Sequence, residues 1–176
     1  MTEPTDHDGA TGSDEGWKAV LARQSESAHP GGDPDLVSLV RLVNAFGVEQ
    51  PVVLTLPGQV LAGTLVSGRT YFAGLADAVQ GDEPDDTMRG ALATSYRARG
   101  QDFEGWGATA GLGDLDPEGP DDDQLAALPD IAYVHLREAE VVLSPPSARR
   151  LPLWRGRLAE VVGWTVGAFE EPPSAG

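Results

Sequence analysis

Two strand-rich segments lie far apart in the chain, and together they constrain its fold more than any other feature. The first, Val52 to Phe72, reads VVLTLPGQVLAGTLVSGRTYF; the second, Ile131 to Phe169, reads IAYVHLREAEVVLSPPSARRLPLWRGRLAEVVGWTVGAF. Short apolar runs interrupted by proline, glycine or arginine turns are typical of strands. We therefore predict an α+β fold, in which an N-terminal helix packs on a small, strongly bent antiparallel β-sheet or barrel. An Sm-like barrel is one form of this prediction.

The first segment predicts two strands joined by a turn. Val52 to Leu56 and Gln59 to Ser67 flank the dipeptide Pro57-Gly58. Gly63 interrupts the second strand, and such a glycine marks a sharp bend or a close backbone crossing. The leading core residues predicted from both segments are Leu54, Leu56, Leu61, Leu65, Val134, Leu158 and Val161.

The second segment predicts further strands. Ile131 to Leu136 and Ala139 to Leu143 are expected to be separate strands, and Ser144 to Arg150 is expected to be a turn. The run from Leu153 to Phe169 is one long strand, or two with a break near Gly163.

Helix signals surround the first segment. Asp33-Pro34 is a helix start, and Gly47 is a helix end, because aspartate caps free N–H groups and glycine adopts the left-handed conformation. A second helix follows Ser67-Gly68 and ends by Gly81. A third is predicted from Thr87 to Arg99, with Met88, Leu92 and Tyr96 on one side.

The predicted organisation is a disordered acidic tail at residues 1–32, one α+β domain at 33–171 and a short tail at 172–176. A helical and acidic insert occupies about 69–130 of the domain. Within it, Gly100 to Asp123 carries many acidic residues and no lysine or arginine, which predicts a flexible loop.

Composition excludes several classes of function. A net charge of −16 disfavours binding of nucleic acid across the whole surface. Cysteine is absent, so disulfides, thiolate metal sites and cysteine nucleophiles are excluded. No apolar run approaches the roughly 18 residues of a membrane helix, and no apolar signal core follows Met1, so a cytoplasmic protein is expected.

Catalytic chemistry has little support in the sequence. His135 would need a nucleophile such as Ser67 or Ser144 for hydrolysis, and a histidine at the edge of the core is the favoured interpretation. Asp121 to Asp123 lack the spaced ligands of a calcium loop. We expect no catalytic residue, no cofactor and no metal.

Four arginines fall within nine residues, from Arg149 to Arg157, in an otherwise acidic chain. Strand alternation places Arg155 and Arg157 on one side, opposite Trp154. One interpretation is an electropositive docking strip for an acidic partner or for the chain's own acidic loop; the other is a solvated face balanced by nearby glutamates. The candidate partner-binding residues are Arg149, Arg150, Trp154, Arg155, Arg157 and Trp164.

The chain resembles the U family of gas-vesicle accessory proteins (GvpU-like). One block, LTLPGQVLAGTLVSGRTYF, fits that family's strand, glycine turn, G-T-x-x-S-G strand and Y-F pair. The other combines YVHLREAEVVL with LWRGRLAEVVGWTVGAF, which fits its H-L strand and its W-R-G-[KR]-x-A-E-V ending. The acidic tail and the long acidic middle depart from the pattern.

The resemblance implies a non-enzymatic cytoplasmic protein that associates with gas vesicles and modulates their assembly or clustering. Its expected partners are the vesicle shell or other gas-vesicle proteins, with self-association also expected, and neither nucleic acid nor membrane. Two alternatives of other classes are an Sm-like RNA-binding or general interaction module, which salt-dependent RNA affinity would reveal, and a hydrolase built on His135.

Overall fold

The computed structural model describes residues 32–109, 122–144 and 147–168. The predicted N-terminal tail, the centre of the predicted acidic loop and the C-terminal tail lie outside these residues. Within them the elements are α1 (Pro34–Phe46), β1 (Gln50–Leu56), β2 (Gln59–Leu65), α2 (Gly68–Gln80), α3 (Met88–Gln101), α4 (Trp106–Thr109), α5 (Asp122–Ala127), β3 (Tyr133–Ser144), β4 (Ser147–Arg157), a 3-10 helix (Leu158–Glu160) and β5 (Gly163–Val166).

The strands of the described residues form one antiparallel sheet in the order β4-β3-β2-β1-β5. This sheet unites the two strand-rich segments, as predicted. It is not closed, because β4 and β5 lie at opposite edges, so the barrel form of the prediction is wrong. Side chains alternate along β3 between α1 and α2: Leu136 packs in the cluster that contains α1, whereas His135 contacts Tyr71 of α2. Helices on both faces bury apolar side chains without closure.

Helix α1 begins and ends where local chemistry predicts. The Asp33 carboxylate accepts hydrogen bonds from the backbone N–H groups of Asp35 (2.9 Å) and Leu36 (3.1 Å). Gly47 follows the helix with φ of 66°, in the left-handed region. The apolar face of α1 packs on the sheet through four residues, Leu36, Val37, Val40 and Val43.

All seven predicted core residues are buried: Leu54, Leu56, Leu61, Leu65, Val134, Leu158 and Val161. They belong to the one cluster that joins α1 to the sheet. The alternating apolar pattern correctly identified the five that lie in strands, because residues two apart in a strand face the same side. Leu158 and Val161 lie in and directly after the 3-10 helix, so strand alternation does not explain their burial.

Strand β3 is continuous, and the prediction of two separate strands is wrong. Its irregularity is a bulge: Ala62 pairs with Glu140 and Thr64 with Arg137, so two residues of β3 oppose Gly63 alone. Glu138, within the bulge, has φ of 51°. A Cβ on residue 63 would lie 3.2 Å from both the Ala139 Cα and the Arg137 carbonyl oxygen. Gly63 therefore marks a close backbone approach.

The boundaries of β4 and β5 also differ from the prediction. Ser147 to Arg150, predicted as a turn, belong to β4, since Arg149 pairs with Val141 and Arg150 with Glu140. The run after Leu153 forms two strands, and the break is the 3-10 helix that precedes Gly163. Here Leu158 turns into the core and is fully buried, which ends the extended pairing.

Helices α2 and α3 pack against each other through small residues. The buried positions of α3 are Gly90, Ala93 and Gly100. The predicted face of Met88, Leu92 and Tyr96 is wrong, because Met88 is 89% exposed and only Tyr96 packs inward. Ala93 and Gly100 are buried, and Tyr96 packs beside Phe72 of α2, so Met88 and Leu92 are left exposed.

The predicted flexible loop from Gly100 to Asp123 is wrong at both ends. Gly100 and Gln101 form the end of α3, and Asp122 begins α5. Between them, the Phe103 and Trp106 rings lie 5.1 Å apart, and the Trp106 indole N–H donates to the Asp102 carbonyl oxygen. These aromatic anchors hold an otherwise acidic stretch on the fold. Residues 110–121 are outside the described residues.

Candidate protein interaction site

Aromatic rings cluster on the sheet face opposite α1. Phe72 of α2 lies at the centre, with its ring centroid 5.3 Å from that of Tyr71, 6.1 Å from that of Phe103 and 6.4 Å from that of Tyr96. The Phe103 ring lies directly against Gly68, where any Cβ would collide with it. Glycine at the first residue of α2 therefore lets the residues after α3 fold back over this cluster.

His135 of β3 is buried inside the aromatic cluster and is 2% exposed. Its ring centroid lies 4.7 Å from that of Tyr71 and 5.8 Å from that of Phe72, and neither of its ring nitrogens has a hydrogen-bond partner among the described residues. Burial, and to a smaller extent the positive charge of Arg155, lower the pKa of His135 to about 4. At neutral pH His135 is therefore an uncharged core ring.

The contacts of Ser67 do not support the pairing with His135 that the hydrolase alternative requires. The Ser67 hydroxyl accepts the Thr70 backbone N–H (3.1 Å) at the start of α2 and lies 3.0 Å from the Thr70 hydroxyl. Ser67 is thus a helix cap and not a partner of His135. Ser144 is the last residue of β3, and its side chain lies outside the described part of the chain.

Arg155 packs on the surface of the aromatic cluster. Its guanidinium carbon lies 3.6 Å from the centroid of the Tyr133 ring and 5.7 Å from that of Phe72, which are cation–π distances. Its Nε is buried and has no hydrogen-bond partner in the part of the chain that the structure describes. On the opposite sheet face, Trp154 packs against the α1 cluster and its indole covers Gly156. The consecutive residues Trp154 and Arg155 thus place their side chains on opposite faces of β4, as strand alternation predicted.

The remaining predicted site residues lie in different surroundings. Arg149, Arg150 and Arg157 are exposed on β4. Arg150 lies 3.7 Å from a Glu140 carboxylate oxygen, so one nearby glutamate does balance part of the strip. Trp164 lies on β5, at the other edge of the sheet, and is half-buried against the α1 cluster. The structure therefore brings Arg155 and Arg157 together on one face of β4, places Trp154 on the opposite face, and separates Trp164 from the arginines.

Sequence reasoning missed Arg99. Its guanidinium carbon lies 5.4 Å from the centroid of the same Phe72 ring that Arg155 approaches. The only local signal was its spacing from Tyr96, because residues three apart share a helix face. Nothing local indicated that this face of α3 would meet β4.

Comparison with family models gives a match to the family described as "Gas vesicle protein GvpU-like", over residues 33–169. The chain belongs to this family. The matched span begins at the cap of α1 and ends just beyond β5, so it contains the whole described fold of this GvpU-like protein. The resemblance carried by the two sequence blocks is confirmed. Comparison with curated proteins and with solved structures gives no match.

Membership of the family indicates a gas-vesicle-associated protein. In the described residues, every helix is too short or too polar to cross a lipid bilayer.

Proposed function

We propose that this GvpU-like protein is a non-enzymatic accessory protein that modulates gas-vesicle assembly or clustering through protein–protein contacts. The observation that carries the proposal is the family match over residues 33–169, which covers both the sheet and the helices that pack on it. Its proposed partners are the vesicle shell or other gas-vesicle proteins, and self-association is part of the same proposal.

The distribution of apolar side chains supports an accessory role over a shell role. A shell subunit has to present an apolar surface to the gas. Here the large apolar side chains of the sheet are buried under α1, and the chain carries a net charge of −16. Transfer of such a surface from water to a gas phase would strip many charges of their hydration, which is highly unfavourable.

The sheet edges supply surfaces suited to protein contacts. Among the described strands, β4 and β5 each have a neighbour on one side only. Edge strands can add an extended segment of another chain through backbone hydrogen bonds. Arg149 and Arg157 are exposed along the β4 edge, whereas Val166 at the β5 edge is 56% exposed. One edge is therefore cationic and the other apolar.

A flotation measurement tests whether the protein binds vesicles. Intact vesicles rise on centrifugation because they hold gas, so bound protein is recovered in the floating layer. We expect wild-type protein to float with vesicles and an unrelated protein of similar net charge to stay below. Absence of the wild-type protein from the floating layer would contradict vesicle binding.

The modulating role is tested in vesicle-producing cells. Deletion of this chain is expected to change the number, length or clustering of vesicles in electron micrographs, and expression of the chain in the deleted cells should restore them. Indistinguishable vesicle populations with and without the chain would rule out the role in assembly or clustering.

A further inference from the structure

Three arginines near the aromatic cluster have no ion-pair partner among the described carboxylates, although the chain holds 28 acidic and 12 basic residues. They are Arg99, Arg155 and Arg157. Five other arginines form ion pairs in the described residues, namely Arg41, Arg69, Arg97, Arg137 and Arg150. Arg89 and Arg149 also have no ion pair among the described residues, but neither lies over a described aromatic ring. In an acidic protein, cations are readily neutralised by neighbouring carboxylates. A local group that is not neutralised therefore requires an explanation.

Two of the three arginines approach aromatic rings, and the third lies beside Arg155 on β4. Arg99 reaches Phe72 from α3, and Arg155 lies over Tyr133 and beside Phe72. Arg157 is the register partner of Tyr133, which places it next to Arg155 on the same side of β4. Helix α3 and strand β4 thus contribute cations to one patch of surface.

The stacked arrangement leaves hydrogen-bond donors available. A guanidinium that packs on a ring uses its flat face, whereas its N–H groups lie in the plane and point outward. The rings also hold the Arg155 side chain in place, so less side-chain entropy is lost when an anion binds. The pairing of planar donors with a planar carboxylate is the strong, two-point kind.

We propose that Arg99, Arg155 and Arg157 form a carboxylate-binding site for an extended acidic segment of a partner protein. This inference rests on the proposed function, because it specifies the chemistry of the partner at the contact surface. Arg155 and Arg157 are two residues apart on an edge strand, hence about 6.7 Å apart along it. An extended segment with carboxylates at alternate positions has the same repeat.

Charge complementarity indicates which kind of partner segment binds at the three arginines. The site offers three positive groups, one from α3 and two from β4, and no carboxylate of the described residues is paired with them. An extended chain can also lie alongside β4, which among the described strands has only β3 as a neighbour. Alternating acidic residues therefore match both the charges and the strand repeat, whereas contiguous acidic residues on an extended chain direct every second carboxylate away from the site.

Two synthetic peptides and a matched pair of double variants test the site. In one peptide aspartate alternates with threonine; in the other, of the same composition, the aspartates are contiguous. The site variant is Arg99→Gln with Arg157→Gln, and the control is Arg89→Gln with Arg97→Gln. All four arginines are exposed, and neither control residue lies on β4 or among the candidate partner-binding residues. Both variants therefore change the net charge equally.

We expect the full-length protein to bind the alternating peptide more tightly than the contiguous one. The site variant should bind it at least about tenfold more weakly, since two charge-assisted hydrogen-bonding groups are lost. The control should stay within about twofold of wild type, because exposed charges farther away are screened by salt. Circular dichroism should show that both variants remain folded, and Arg155→Lys, which keeps the charge but not the planar donors, should also weaken binding.

Nuclear magnetic resonance of the His135 ring provides a second readout. A bound carboxylate offsets the positive charge of Arg155, so the His135 pKa should rise when the alternating peptide binds. A purely structural role for the three arginines would leave this pKa unchanged by peptide.

Several results would overturn the proposal: no binding by wild type, equal losses in the site and control variants, equal affinity for the two peptides, or tighter binding of a single-stranded RNA. The peptide measurements contain no vesicles, so their failure would leave vesicle flotation unaffected. Conversely, failure of flotation would contradict the proposed function without changing the peptide result.

Discussion

At the residue scale, two strand glycines differ in the space around them. At Gly63 an added Cβ would lie 3.2 Å from backbone atoms of the β3 bulge, which cannot rotate away. At Gly163 the nearest atoms are those of the Thr55 side chain, 3.8 Å away, which is an ordinary contact. The two positions therefore allow overpacking to be separated from the general effect of adding a methyl group to a strand.

Gly63→Ala is expected to lower the free energy of unfolding by about 1–3 kcal/mol, because the backbone of β2 or β3 has to shift. Gly163→Ala is the control and should change it by less than about 0.5 kcal/mol. Chemical denaturation of both variants measures this difference. Equal effects of the two substitutions would show that the bulge does not restrict residue 63.

His135 should make stability depend on pH. Its folded-state pKa of about 4 is below the ordinary value of 6.5, so the unfolded chain takes up the proton first as the pH falls. The stabilising contribution is therefore complete above pH 6.5 and is lost as the pH falls through 4. The loss amounts to about 3 kcal/mol for a shift of this size.

His135→Phe, which keeps a ring in the aromatic cluster, should remove this dependence. The difference in unfolding free energy between wild type and variant should change by about that amount between pH 7 and pH 4. Carboxylates titrate in both proteins, so the difference isolates His135. A constant difference across this range would contradict burial of an uncharged His135.

At the element scale, Asn44 joins α1 to α2. Its amide Nδ2 donates to the Val40 carbonyl oxygen (2.8 Å), and its Oδ1 accepts the backbone N–H of Gly68 (2.7 Å). Asn44 is buried, and Gly68 is the first residue of α2. The Asn44 side chain of α1 thus caps the start of α2. It positions this helix, which carries Tyr71 and Phe72, over β3.

Asn44→Ala is expected to cost about 1–3 kcal/mol, because it leaves the Gly68 N–H buried without a partner. Met88→Ala, an exposed substitution on α3, should change stability by less than about 0.5 kcal/mol. Thermal or urea unfolding gives both values. If Asn44→Ala unfolds like wild type, the contact between α1 and α2 does not stabilise the fold.

At the scale of the whole molecule, charge is unevenly distributed. Most of the net charge of −16 belongs to sequence outside the described residues, in 1–31, 110–121 and 169–176. Exposed arginines, in contrast, lie along β4. Repulsion between the acidic segments of neighbouring copies should oppose attraction through the arginines, and at 0.15 M salt repulsion is screened beyond about 8 Å.

We therefore predict that association, followed by light scattering, increases with ionic strength. A variant that lacks residues 1–31 and carries amides in place of the four acidic residues of 110–121 should associate at lower salt. The helical residues at 100–109 and 122–127 have to be kept, because the former carry Phe103 and Trp106, which pack on the fold.

Changing Arg149, Arg150 and Arg157 to glutamine in that variant should suppress association again. Coincident scattering curves for the wild type and the acid-depleted variant would show that the acidic segments confer solubility only and do not control association.

Features that depend on neighbours in sequence could be predicted. Asp33 and Gly47 delimit α1 because capping requires only their own conformation and a few adjacent N–H groups. The core residues of the strands could be predicted because alternation is a property of an extended backbone. Family membership likewise followed from strings such as WRGRLAEV, which are local.

Tertiary structure alone decided the rest. The amino-acid sequence by itself determined the α+β class, the core positions and the family, but not whether the sheet closes, since closure depends on helices that cover both faces. It did not indicate that Arg99 and Arg155, far apart in the chain, approach the same Phe72 ring. That meeting requires α3 to pack through Gly90, Ala93 and Gly100 and β4 to pair with β3, and such long-range contacts arise only when the whole chain has folded.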